Sequence, residues 1–186
     1  MKNIHYFILV LLTTSTFAQS ALYNSGSIRI HDTATLGFHT NLINNATFDQ
    51  NLGTVGFYGP TVTSVSGAFI PVFYDIEIFK PLSAVVLETS IDVINALNFI
   101  DGDIQTYRNN PIENMIVSPD AFTTGESDLS KVDGYLSIKQ KQNFFFTVGD
   151  ASYIRPLTLN SESENPEAKC AYFYEDPNIP TTKHQL

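Results

Sequence analysis

The chain has 186 residues, 43% hydrophobic and 16% charged, with 10 Lys and Arg against 19 Asp and Glu for a formal net charge of −9. That acidity repels phosphate backbones and anionic lipid, so neither nucleic acid nor a charged membrane surface is an expected partner. A lone cysteine, Cys170, cannot form an intramolecular disulfide, so no disulfide framework holds the fold.

The first element is "MKNIHYFILVLLTTSTFAQS". A basic start at Lys2, an apolar run from Ile4 to Leu12 and a small-residue exit at Ala18 form the pattern of a secretory signal peptide over residues 1–18. The apolar run is too short for a bilayer span, which needs roughly 20 residues. No later segment reads as transmembrane. Cleavage after Ala18 starts the mature chain at Gln19, and losing Lys2 takes the net charge from −9 to −10.

From Ser27 to about Leu159 the chain reads as short β-runs separated by turns: "SIRI", "TLGF", "TVGFY", "DIEIF", "AVVLE" and "DIQTY". They are rich in β-branched and aromatic residues, several alternate with period two, and Gly, Asn, Asp and Pro cluster between them. No stretch after the signal peptide carries helical spacing with caps. Matching runs recur at an offset of 48 or 49 residues. Ile28 and Ile76 correspond in this way, as do Leu36 and Val85, and Val55 and Ile104. "NNATF" at 44–48 likewise resembles "INALNF" at 94–99, so the sequence predicts an internal repeat over about 26–108. Units of short strands cannot bury an apolar face alone and must stack. The expected fold is all-β, a β-solenoid-like stack of short strands in which the paired positions form ladders. A β-sandwich is the alternative that strand spacing also allows.

Beyond Arg108, Met115 to Val117 is one strand candidate before a polar loop. The stretch "SKVDGYLSIKQKQNFFFTVGDASYIRPL" then predicts a hairpin cap over about 130–160, with an exit strand from Ile154 to Leu159. Asp133-Gly134 and Gly149-Asp150 are turn pairs in which glycine supplies backbone angles closed to other residues. Phe144 and Phe146 share one strand face, with Tyr135 expected across from them. Phe145 points the other way and is the position to watch for a partner contact. Residues 161–186 read as a polar linker and an incomplete C-terminal segment, in which "KCAYFYEDP" resembles the opening strand of a further module.

These residues resemble the N-terminal modules of exported surface proteins of Bacteroidota, of the gliding-motility-associated kind carried by the type IX secretion system. The resemblance rests on the "FAQ" junction and on Asn45, Ala46, Phe48, Gly53, Val55, Phe57 and Gly59. It continues through Phe73 to Ile78, "LNFIDGDIQT" at 97–106 and "SKVDGY…FFFTVGD…YIRPL", where Thr147 stands in place of the family's proline. It implies an exported, cell-surface or extracellular module with an adhesin-like structural or spacer role. It also implies a C-terminal sorting domain that the sequence does not show. The chain is therefore expected to be a fragment of a larger plan, or to remain in the periplasm. Asp32-Thr33-Ala34 resembles the short O-glycosylation acceptor of that phylum.

Chemistry-bearing candidates are weaker. Asp101 and Asp103 flank Gly102 as in a calcium loop, but only two carboxylates are near and a rung corner accounts for them. His31, Asp32 and His39 fit no zinc spacing. Asp75, Glu77, Glu88 and Asp92 are available for glycoside cleavage, but nothing selects a pair. Lys139 and Lys141 before the phenylalanines mimic a nucleic-acid patch and read as a solvated hairpin face. Cys170 has no base nearby in sequence except His184. No catalytic, metal or cofactor residue is therefore assigned. The expected partner class is a surface glycan or a protein, and the rival reading is a carbohydrate-binding or carbohydrate-active β-helix protein.

Overall fold

A computed structural model describes residues 20–174. The proposed signal peptide, His184 and the end of the C-terminal segment lie outside the described residues. The strands are β1 (Ala21–Asn24), β2 (Thr35–Phe38), β3 (Asn41–Asn44), β4 (Thr54–Tyr58), β5 (Thr63–Ser66), β6 (Val72–Leu87) and β7 (Ile91–Thr106). They continue as β8 (Met115–Val117), β9 (Phe122–Thr124), β10 (Val132–Asp133), β11 (Leu136–Phe146), β12 (Val148–Gly149) and β13 (Leu157–Cys170). Among the described residues there is no helix, and so none long and apolar enough to cross a membrane.

All pairings except the last are parallel, and they make a β-solenoid of about 6 turns with three faces. Face A stacks β1, β3, β5, the end of β6, the end of β7, β10 and β12. Face B stacks β2, β4, the middle of β6 and of β7, and β9. Face C stacks the starts of β6 and β7, then β8 and β11. Parallel pairing rules out the sandwich, whose sheets would be antiparallel.

Each face contributes inward ladders. Leu36, Val55, Ile76 and Leu97 run down face B, beside Phe38, Phe57, Ile78 and Phe99. Phe73, Val93, Val117 and Ile138 run down face C, and Val85, Ile104, Val132 and Val148 down face A. Nearly all of these side chains are buried. Like residues stack on like: the Phe38 and Phe57 rings lie 5.3 Å apart at 20°, and Phe48 meets Phe73 edge-on at 5.0 Å. Fully burying one such side chain contributes roughly 1.5–3 kcal/mol. Corners are held by asparagines. Asn24 donates to Asn44 Oδ1 at 2.7 Å, Asn44 donates to the Phe69 carbonyl at 2.9 Å, and Asn51 takes the Ile30 N–H and donates to the Val72 carbonyl. Backbone groups that the turns leave free are satisfied in this way.

The 48- to 49-residue ladder is corrected by the registers. Leu36 pairs with Val55, Val55 with Ile76, and Val85 with Ile104, so one turn spans 19 or 21 residues at these places. An offset of 49 is about two and a third such turns, and it moves a residue from one face to the next. Leu36 and Val55 therefore sit on face B whereas Val85 and Ile104 sit on face A. "SIRI" is not a ladder strand, although Ile30 is buried and its carbonyl accepts the Leu52 N–H.

The stack ends in an antiparallel cap, in which β11 pairs with β13 from Leu136↔Cys170 to Phe146↔Leu157 with a bulge between Lys141 and Asn143. The run after 161 read as a linker therefore belongs, as far as Cys170, to a strand. Its polar residues fit because it is the outer edge strand. Phe144 and Phe146 meet edge-on at 5.1 Å as expected, and Phe145 is exposed. Tyr135 instead meets Phe173 at 6.0 Å. Gly134 has the expected positive φ of 130°, but Gly149 is a strand residue. A Cβ at Gly149 would lie 2.3 Å from the Tyr153 carbonyl oxygen, so close approach explains it.

Candidate functional site

The carboxylates singled out in the sequence are spread over two faces and a corner. On face B, Asp75 accepts from Asn95 Nδ2 at 2.6 Å and Glu77 accepts from the Tyr58 hydroxyl at 3.0 Å. On face C, Asp92 accepts from Ser118 Oγ at 2.7 Å and pairs with Lys139 Nζ at 2.8 Å. The contacts to Asn95, Tyr58 and Ser118 join neighbouring turns of the coil, and the Asp92–Lys139 pair reaches past β8 to the turn beyond. Glu88 is exposed just past the end of β6. Asp75 and Glu77 share one strand of face B, and Asp92 lies on face C.

Gly56 explains the Tyr58 contact. Its backbone is ordinary, but a Cβ there would come within 2.0 Å of the Tyr58 ring. The ring folds back over Gly56 and reaches Glu77 on the next turn. Burial, then the hydrogen bond to Glu77, pushes the Tyr58 hydroxyl pKa up.

His31 and Asp32 are exposed in the turn before β2, and His39 follows that strand with its ring 5.7 Å from Tyr58. Among the described residues no group of three or more His, Cys, Asp or Glu is placed to hold a metal ion. Lys141 donates to the carbonyls of Pro119 and Ala121 and lies over the Phe144 ring, so both lysines of the suspected basic patch tie the cap down. Cys170 is half-buried at the end of β13, where burial pushes its thiol up and away from the nucleophilic thiolate.

Asp101-Gly102-Asp103 does turn a corner, between faces B and A, with Gly102 at φ 93°. A Cβ there would meet the Lys80 carbonyl at 2.4 Å, so only glycine fits. Asp103 receives the Lys131 ammonium at 3.2 Å on each oxygen, and Lys131 is 0% exposed. Lys131 also donates to the Asp128 carbonyl at 2.7 Å. Burial pushes the Asp103 carboxyl up, with Lys131 pulling it the other way.

Around this corner lies a groove of about 360 Å³ lined by Val62, Leu82, Asp101, Asp103, Asp128 and Leu129, among others. Sequence reasoning missed Leu82, Asp128 and Lys131. Leu82 has φ 56°, a left-handed backbone where glycine is usual, and its residue type gives no sign of it. Lys131 carried no signal either, because its burial depends on a partner 28 residues away.

No family model matches the chain, and neither curated proteins nor solved structures give a match.

Proposed function

We propose that the chain is an exported, non-enzymatic β-repeat module with a structural or spacer role of the cell-surface, adhesin-like kind. The observation that carries this reading is the use made of the outward carboxylates. Asp75, Glu77, Asp92 and Asp103 each bind a side chain from a neighbouring turn, so the exterior polar chemistry clamps the coil along its axis. A solenoid tied in this way resists extension and presents a long surface. The resemblance of the "FAQ" junction and the strand phrases to type IX secretion cargo supports export and surface placement, and a place in a larger cargo protein.

Two measurements test the reading. Protease shaving of intact producing cells is expected to remove the module, and recovery only from the cytoplasm would refute export. Incubation of the purified mature chain with a polysaccharide panel is expected to release no reducing sugar. Release that Asp75→Asn or Asp92→Asn abolishes would establish the carbohydrate-active alternative.

A further inference from the structure

Successive corners between faces B and A put aliphatic side chains into solvent. Val62 is 62% exposed, Leu82 100% and Leu129 69%, and all three border the groove at Asp101. Leu82 is the extreme case, since its backbone also adopts the left-handed conformation that disfavours a branched side chain. Exposed apolar side chains gathered around a concavity mark interaction surfaces rather than scattered surface leucines.

The charges of the groove narrow the partner. Asp103 is compensated by Lys131. Among the described residues the Asp101 side chain has no hydrogen bond or ion pair, and Asp128 Oδ1 takes only the Ile154 N–H. Two carboxylates thus face the groove without a cation. Ser83, in its wall, keeps a buried Oγ with no partner. A divalent ion is the poorer fit, because both oxygens of the third carboxylate, Asp103, already hold an ammonium.

We propose that this corner groove docks an extended basic and aliphatic peptide segment of a partner protein. Its Lys or Arg meets Asp101 and Asp128, and its aliphatic side chains lie on Leu82 and Leu129. Opposite charge at a partly desolvated groove sets specificity and speeds encounter. The assignment goes beyond the spacer reading and does not depend on it.

The test uses the mature chain and a fluorescein-labelled peptide, Leu-Arg-Val-Lys-Leu-Arg-Ile, read by fluorescence anisotropy. The control peptide carries Glu in place of each basic residue. Saturable binding of the basic peptide alone is expected, weakened by added salt. Asp101→Asn with Asp128→Asn, and separately Leu82→Gly, should each weaken it by about tenfold or more. Leu82→Gly relieves the left-handed backbone, so its melting temperature should hold at the wild-type value and exclude misfolding as the cause. Absence of saturable binding, equal binding of the acidic peptide, or insensitivity to these substitutions overturns the proposal. So does calorimetric calcium uptake that Asp101→Asn abolishes in a protein that binds no peptide.

Discussion

Lys131 and Asp103 show how a single pair holds a corner without adding much net stability. An ammonium with no exposure must be compensated, and removing one partner of a buried pair typically costs about 3–5 kcal/mol. Lys131→Met, which leaves the Asp103 carboxylate buried without its ammonium, should therefore destabilise the protein by that order in urea melts at neutral pH. Asp103→Leu combined with Lys131→Met should recover most of the loss, because desolvation of both ions disappears together. The pH dependence follows from the raised carboxyl. A carboxyl that binds its proton more tightly in the folded chain contributes stability that is fully present below its unfolded value and is lost as pH rises through its folded value. Wild-type stability relative to Asp103→Asn should fall from about pH 4 upward. A difference that grows over that range would show that the ion pair, not burial, dominates the site.

At the scale of the element, the inward ladders carry the fold. Ile76 sits between Val55 and Leu97 on face B, and Ile104 between Val85 and Val132 on face A. Each is 1% exposed. An aspartate at either place has no partner, and an uncompensated buried polar or charged group costs several kcal/mol. Ile76→Asp and Ile104→Asp should each abolish the cooperative urea transition read by circular dichroism. A retained transition in both would sink the assignment of the ladders. The cap follows different rules. Among the described residues β13 is paired on one side only, and it is blunted by Pro166, a bulge opposite β11 and the charges of Glu162, Glu164, Glu167 and Lys169. Such features keep an edge strand from recruiting another chain.

Across the whole molecule, stability is close to a sum over turns and their interfaces, because the backbone of each turn pairs only with its neighbours. Among the described residues the first turn has a neighbour on one side only: β1 pairs with β3, and β2 with β4. The middle turns, β6 and β7, are paired on both sides along their length. The other end is closed by the cap and by Arg108, which pairs with Asp133 and donates to the carbonyls of Gly149 and Tyr172. Hydrogen exchange should thus proceed from the N-terminal end, with β1 and β2 exchanging before β6 and β7. Uniform protection from β1 to β8 would instead mean that the stack opens only as one unit.

The all-β class, the absence of helix among the described residues and the need to stack were all legible in the chain, because they rest on local alternation and turn residues. "TLGF", "TVGFY" and "MIV" match β2, β4 and β8 residue for residue, and glycine at 102 marks a corner by its own backbone. Turn length and face were not legible. With all three faces apolar inside, a shift by one face leaves the hydrophobic pattern nearly intact, so a 49-residue offset looks like a repeat while skipping from face B to face A. The same limit hid the groove. Leu82, Asp101 and Asp128 become neighbours only when corners from successive turns are laid one above another, and the burial of Lys131 needs Asp103 from the turn beneath. Local pattern determined what kind of strands this chain forms. Long-range register, set by packing the ladders and satisfying the corner asparagines, decided which residues meet.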